Sequence, residues 1–455
     1  MKFKLTGFLL FAAIAIASAQ SKKWTLEECV IYAVENNLSI EQFELDLENA
    51  KIDKSDAIGN FLPDLSASTS FSSNTGFSIN PTNNLPTTST QKNVNASVST
   101  SVNLFDGLRN VHRLNRAKLN AIANQYRLDN LKDDIRLNVA ITYLQILSNK
   151  EALAVSRAQY AFTEQDLKRT KELVASGVVP QGDLLEIEAT AAGQEQQIVN
   201  NENSVLISRI NLAQLLQITD YENFDIASES FEIPPSSILN NSAKTIFTKA
   251  LEFRNDIRLS EMNVQLAEKD LAISKGALMP TLGAFFNYGT RYSDVAQIPG
   301  PSLVPGGPPV FFTPNFGDQL WIFDGFSYGV QLNIPVFNGF SVRNGIERSK
   351  ISVERNKLQL EQDKLALETT INQAYVDVTN FAKAYEAAQK TLEARRLAYQ
   401  YAKERFDVGL MNSFDFSQAQ SRVDNAEAEV VRTKFEYIFR LKVLEFYFGL
   451  PIVLN

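Results

Sequence analysis

The 455-residue sequence has one cysteine, Cys29, and one histidine, His112. A single thiol cannot close an intrachain disulfide, and a single imidazole supplies neither a histidine-based metal cluster nor a Cys/His catalytic pair. Glycine and proline are scarce as well, 20 and 15 residues, and they are unevenly spread, so most of the chain is free to run as helix. Beyond residue 19 no apolar stretch reaches about 18 residues, which argues against a transmembrane helix and leaves strands as the means of crossing a membrane. Excess positive charge is also missing: 44 Lys and Arg against 52 Asp and Glu give −8, which weighs against a nucleic-acid partner. The segment GVVPQGD at Gly177–Asp183 lacks what a phosphate loop needs, because Asp183 and Leu184 stand where a lysine and a hydroxyl residue are required. No cofactor, metal site or catalytic residue is expected, and the chain does not read as an enzyme.

At the N-terminus Lys2 and Lys4 precede an apolar run from Leu5 to Ile16 and then Ala17, Ser18 and Ala19. This reads as a secretory signal peptide over residues 1–19, cleaved before Gln20. Its removal takes two lysines and moves the net charge from −8 to about −10.

The remaining chain repeats itself. Ala50–Pro63 (AKIDKSDAIGNFLP) matches Ala267–Pro280 (AEKDLAISKGALMP) at an offset of roughly 217 residues. Further on, LFDG at Leu104–Gly107 matches VFNG at Val336–Gly339, and Gly177 and Asp183 match Gly409 and Asp415, at roughly 232. The step between the offsets places about 15 extra residues in the second copy, after its proline and before its FxG motif. The expected organisation is a first repeat over 20–216, with a β-hairpin at 64–105 and a long helical hairpin at 109–216. A linker follows at 217–245. The second repeat, 246–455, holds a β-hairpin at 281–337 with a long loop at 293–325, a helical hairpin at 341–448 and a C-terminal tail.

Two periodicities alternate within each copy. Trp24–Asn60 reads as a helix opened by the capping box of Thr25 and Glu28 and stopped by Pro63. From Asp64 to about Ser78 the period becomes two, with Leu65, Ala67, Thr69 and Phe71 alternating with serines. A loop at Asn80–Thr90 turns the chain, and Val94, Ala96, Val98, Thr100, Val102 and Leu104 run back. In the second copy Leu282, Ala284, Phe286, Tyr288 and Tyr292 form one apolar row and Phe326, Tyr328, Val330, Leu332 and Ile334 another. Arg109–Ser176 and Ile346–Val408 contain neither Gly nor Pro, so each is expected to be one helix of about 60–65 residues. Leu367, Ile371, Ala374, Val378, Phe381 and Tyr385 follow heptad steps, as do Ile135, Val139, Ile146 and Leu153 in the first copy, the spacing of helices packed as coiled coils.

The strands carry a functional implication. Each has an apolar or aromatic face and a face of Ser, Asn, Thr, Gln or Gly with few charges, the alternation of a barrel wall between lipid and water. Four strands cannot close a barrel, and open edges in lipid cost several kcal/mol per unpaired group, so chains must share one. A secreted or periplasmic coiled-coil scaffold or adhesin without a pore is the alternative; it accounts for the heptads but not for the paired hairpins.

With both copies in this order, the mature sequence resembles the TolC family of outer-membrane efflux and secretion channels along essentially its whole length. The resemblance implies a mainly α fold with a transmembrane β-barrel contribution, built as a homotrimer with a 12-stranded barrel in outer-membrane lipid and an α-helical tunnel in the periplasm. A smaller mixed region at the waist, from Ile218–Ser242 with Pro234 and Pro235 and from the C-terminal tail, is also implied. It implies a periplasmic adaptor protein and an inner-membrane efflux pump or ABC transporter as partners. By the same resemblance Asp183 and Asp415, with Gln418 one turn later, line a periplasmic aperture; their other expected role is to stabilise the start of a return helix, Asp183 with Glu186 as a capping box. Ser176, Gly177 and Val178, with Val408, Gly409 and Leu410, match the adaptor-docking tips. Pro63, Gly107, Pro280 and Gly339 mark the turns of the two copies, and His112, in the polar first turns of the long helix, reads as an ordinary residue of the waist or of the barrel junction.

Overall fold

The computed structural model describes residues 23–79, 84–227, 233, 238–303 and 306–450. The signal-peptide segment 1–19, Pro234 and Pro235 of the linker, and the last five residues lie outside the described residues. Two compact units are formed, one from residues 23–47, 124–260 and 359–450, the other from 48–123 and 261–358.

In the first unit a two-residue strand β1 (Lys23–Trp24) leads into helix α1 (Leu26–Asn36). Thr25 and Glu28 form the expected reciprocal capping box. The helix does not continue to residue 60 as the pattern suggests. It stops at Asn37, whose extended backbone (ψ 119°) and side-chain oxygen, accepting from Ser39 N–H at 2.9 Å, start a second helix, α2 (Leu38–Gly59). An asparagine inside an amphipathic pattern competes for the backbone with its own amide, and periodicity alone does not register that.

The two long helices appear as α3 (Arg109–Ala175) and, in the second half of the chain, Ser341–Asp407, each of 67 residues. Return helix α4 (Gln181–Leu215) and its counterpart Ser413–Tyr447 have 35 residues each. Between them in sequence come β4 (Asp225–Ile226), parallel to β1, and helices α5 (Ala243–Phe253) and α6 (Asn255–Gly276). Gly345 lies inside the second long helix, which therefore begins earlier than a glycine-free run implies.

Most of the apolar heptad positions form the core of this unit, whereas Leu153, Phe381 and Tyr385 are only half-buried. Ile135, Val139 and Ile146 are buried with Cys29, Tyr143, Leu212 and Ile438, while Leu367, Ile371, Ala374 and Val378 are buried with Ile246, Ile257 and Leu441. Cys29 is packed as a small apolar side chain. The Tyr143 hydroxyl donates toward Trp24 O and Ala227 O at 3.3 Å, and Lys150 pairs with Asp225 at 2.6 Å, fixing the small parallel ladder.

The second unit contains a four-stranded antiparallel sheet in the order β2 (Asp64–Ile79), β3 (Pro86–Phe105), β5 (Thr281–Ser293), β8 (Gly325–Asn333). The loop at 293–325 carries structure of its own: a hairpin of β6 (Ile298–Gly300) and β7 (Val310–Phe312), then a short helix, α7 (Phe316–Ile322). Following the sequence order, the last helices are α8 (Ser341–Asp407) and α9 (Ser413–Tyr447). Among the described residues no helix is long and apolar enough to cross a membrane.

Candidate functional site

The sheet comes first. Its register pairs Leu65 with Thr100, Phe71 with Val94, Val98 with Tyr288, Phe286 with Tyr328 and Tyr288 with Phe326. Side chains of directly opposed residues share a face, so the apolar rows of all four strands lie on one side. That side is uncovered: Leu65, Phe71, Phe77, Phe326, Tyr328 and Val330 are each at least 67% exposed. The opposite face carries a ladder of hydroxyls, with Ser66 and Ser99 at 2.8 Å and Ser68 and Ser97 at 2.9 Å. Among the described residues both edges, β2 and β8, lack a strand partner.

The turn motifs leave the sheet. Gly107 has φ +72°, and a Cβ there would overlap the Gly276 carbonyl oxygen and stand 2.9 Å from Met279 Cβ. Gly339 has φ +58° with open space around it. The residues after each, Leu108 and Phe340, also have positive φ, 64° and 66°, which nothing in their side chains announces. Asp106 is buried and its carboxylate accepts from Asn110 N–H at 2.9 Å, starting α3. Pro63 and Pro280 directly precede β2 and β5. His112 lies in the first turn of α3, its Nδ1 buried without a hydrogen-bond partner.

At the opposite ends of the long helices the two tips share one geometry. Val178 N–H bonds Leu173 O and Gly177 N–H bonds Val174 O, both at 2.9 Å; Leu410 and Gly409 repeat this onto Arg405 and Phe406 at 2.8 and 3.0 Å. This six-to-one, five-to-two pairing requires a left-handed residue, and Gly177 and Gly409 supply it at φ +74° and +76°. Ser176 caps the same turn by donating to Glu172 O at 2.7 Å. Val178, Val408 and Leu410 are 67–70% exposed, three apolar side chains without cover at the tips.

The aperture candidates separate. The N-cap of α4 is Pro180, with no side-chain cap, so the expected Asp183/Glu186 capping box is not formed. Asp183 instead accepts a hydrogen bond from the Ser413 hydroxyl at 2.6 Å, tying the first turns of α4 and α9. A serine at the first position of the neighbouring helix is the closer donor, and a carboxylate takes it. Asp415 is exposed and trades hydrogen bonds with Asn412, which caps α9. Gln418, also exposed, accepts from Arg422 at 3.0 Å.

Above Asp183 the contact continues as a polar ladder that the heptad pattern concealed. The Thr190 and Ser417 hydroxyls meet at 2.8 Å, Gln194 donates to Asp424 at 2.9 Å, and buried Gln420 donates to Thr163 at 2.8 Å. Gln159 and Arg396 both reach Glu427, at 3.2 and 2.8 Å, beside a groove of about 610 Å³ that Tyr399 and Phe162 also line. Burial pushes the Asp424 carboxyl up to about 6, with Glu427 adding to the rise and the Gln194 bond opposing it. Burial likewise raises the Tyr399 phenol, to about 12, helped by Asp166, Asp424 and Asp407. The signal in the sequence was Gln420 between Phe416 and Val423, a polar residue in an apolar stripe.

Because the neutral form of Asp424 is the favoured one, its contribution to stability is full below the ordinary carboxylate range and is lost as pH rises through about 6. Asp424→Asn, which keeps an acceptor for Gln194, is therefore expected to stabilise the chain at pH 7.5 by about 1 kcal/mol after solvent screening, read as a higher thermal midpoint. Circular dichroism melts at pH 7.5 and pH 4.5 check it: the gain should shrink at the lower pH, where the folded carboxyl is already protonated.

Among the described residues no group of three His, Cys, Asp or Glu side chains is placed to hold a metal ion. Residues 32–216 and 246–449 match the family described as outer membrane efflux protein. Outer membrane protein TolC of Vibrio cholerae is 21% identical over 311 residues, 68% of this chain and 66% of that protein. The pyoverdine export outer membrane protein OpmQ of Pseudomonas putida is 23% identical over 360 residues, 77% of this chain and 69% of that one. In fold, the chain is similar to the Campylobacter jejuni CmeC outer membrane channel, with a TM-score of 0.79 at 17% identity over 93% of this chain and 85% of that one. It is also similar to the outer membrane protein VceC of Vibrio cholerae, with a TM-score of 0.73 at 14% identity over 94% of this chain and 97% of that one. The family match spans both halves of the sequence, and the fold is that of solved outer membrane channels: the chain belongs to the outer membrane efflux protein family.

Proposed function

We propose that this chain is one protomer of a homotrimeric export channel, in which three four-stranded sheets join edge to edge as a 12-stranded barrel in the outer membrane. The helical hairpins line a periplasmic tunnel that receives cargo from a periplasmic adaptor and an inner-membrane pump or ABC transporter. Conduction is passive and no bond is made or broken. The observation that carries this reading is the sheet: a continuous exposed apolar face and two unpaired edges are both costly in water, and both costs are removed by lipid and by identical neighbours. A coiled-coil scaffold or adhesin gives the apolar face no solvent to match. Two copies of one plan account for helix pairs of equal length: 67 and 67, 35 and 35, 22 and 22, 11 and 11 residues.

In the trimer Asp183 and Asp415 place six carboxylates around the tunnel axis, with Gln418 beside them, and such a ring attracts cations and repels anions. The Asp183–Ser413 bond holds the two return helices of one protomer together at that level. The tips Ser176–Val178 and Val408–Leu410 offer the exposed apolar surface that an adaptor's helical hairpin would cover. The purified protein is expected to run as a heat-resistant trimer in detergent and to conduct in planar bilayers. Asp183→Ala with Asp415→Ala raises its conductance and relieves block by divalent cations; unchanged block would remove the ring from the proposal. Gly409→Arg, with the side chain forced onto the docking face, leaves the trimer intact and abolishes export, as read by cargo retained in the cells.

A further inference from the structure

The two open edges of the sheet are unequal. β2 has 16 residues and β8 has 9. Pro63 immediately precedes β2, and Pro335 lies two residues beyond β8, so the proline-flanked ends of both strands fall at one end of the sheet. A β2 from a second copy, laid antiparallel along β8 from that end, therefore finds a strand for Asp64–Ser72 and none for Ser73–Ile79.

The same gap exists inside the chain, and there it is filled. The pairing of β5 with β8 ends at Gly289 and Gly325, while β5 runs on to Ser293. Asp294 N–H donates to Lys92 O on the β3 side, so Ser293 N–H, one residue earlier, points the other way, to where β8 no longer runs. It donates there to Gln319 Oε1 at 3.0 Å. Gln319 is fully buried, and its amide nitrogen is held by Pro314 O at 2.9 Å. The Thr290 hydroxyl bonds Leu320 O at 2.7 Å, and Phe316 packs on Tyr292 with ring centroids 5.0 Å apart. Helix α7 thus stands in for the missing part of β8, with a glutamine amide in the place of a strand carbonyl.

We propose that α7 also completes the seam between protomers, packing its outer side against Ser73–Ile79 of β2 in a second copy. The occupant follows from what each surface leaves bare. Trp321 is 79% exposed and Phe316 50%, on a helix whose only charge is Asp318; Phe77 and Ile79 are 78% and 59% exposed, on a stretch of β2 with no charge. The surplus of β2 needs a neighbour at the level where α7 sits, and the joined strands below bring it there. This inference rests on the shared barrel proposed above, and it adds that the barrel wall is part helix at each of its three seams.

Cysteine crosslinking in isolated outer membranes tests it, with Cys29, fully buried, left in place as the single-thiol control. Trp321→Cys is combined in turn with Thr75→Cys, Phe77→Cys and Ile79→Cys and treated with a short bismaleimide. Val330→Cys with Ala67→Cys reports on the strand seam itself. At least tenfold more covalent dimer and trimer than in the single variants is expected for the strand pair and for Trp321→Cys with Phe77→Cys or Ile79→Cys. If the strand pair crosslinks and no Trp321→Cys pair does, α7 faces lipid or water and the inference is overturned while the barrel stands. If neither crosslinks, the shared barrel fails and the seam with it.

Discussion

Val330→Arg is expected to remove the assembled trimer from the outer membrane, whereas Gln331→Arg, one residue along the same strand, is expected to assemble and alter conduction. Val330 lies on the apolar face of β8, opposite Ala284, and is 69% exposed in the single chain. Gln331 points to the other face. A guanidinium on the lipid side of a barrel costs about 2–4 kcal/mol near the bilayer midplane, and the trimer would carry three. That sum, about 6–12 kcal/mol, is as large as the usual margin of a folded protein, about 5–15 kcal/mol. On the water side an arginine pays no such cost, and in the proposed trimer it would add three positive charges to the lumen. Membrane fractionation with unheated gel electrophoresis reads the first outcome, and reversal potential in a salt gradient reads the second. Equal tolerance of both variants would mean that the two faces see the same solvent, which contradicts a barrel wall.

The second large effect falls at a turn. Gly107→Ala is expected to destabilise the protein by about 2–5 kcal/mol, and Gly339→Ala, at the matching position of the second copy, by about 1–2 kcal/mol. Both residues have positive φ, and both substitutions incur that strain. Only at Gly107 does the new methyl meet backbone, the Gly276 carbonyl at the end of α6, which cannot rotate away. The reverse contact, an ideal Cβ on Gly276 placed 2.6 Å from Gly107 O, shows that the approach is close from both sides. Trimer yield and urea midpoints of the two variants in detergent check the order, and a Gly339→Ala effect as large as that of Gly107→Ala would show that strain alone decides.

Much of this was legible in one sequence because the relevant signals are local. The 67-residue helices follow from the lack of proline and the rarity of glycine, the strands from strict alternation, and the tips from Gly177 and Gly409. Errors arose where a side chain chose among partners that are distant in sequence. Asn37 broke a continuous helical pattern because its amide found Ser39 N–H. Asp183 left its expected capping role because Ser413, 230 positions on, offered a hydroxyl at 2.6 Å. The loop at 293–325 read as irregular, yet Gln319 is buried in it, since glutamine carries no period that marks it as a strand substitute.

Periodicity and composition alone determined that the chain is mostly long helix, that its sequence pattern runs twice, and that its four long strands are amphipathic. Those properties depend on neighbours a few residues apart, where the geometry of helix and strand is fixed in advance. Tertiary structure alone decided that Asp424 is held by Gln194 between helices with its carboxyl raised to about 6, that Gly107 must stay bare because Gly276 lies against it, and that the two edges of the sheet differ in length and one is finished by a helix. Each depends on which surfaces the fold brings into contact, and the free energy of a buried carboxylate, a forbidden methyl or an unpaired edge exists only once that contact is made.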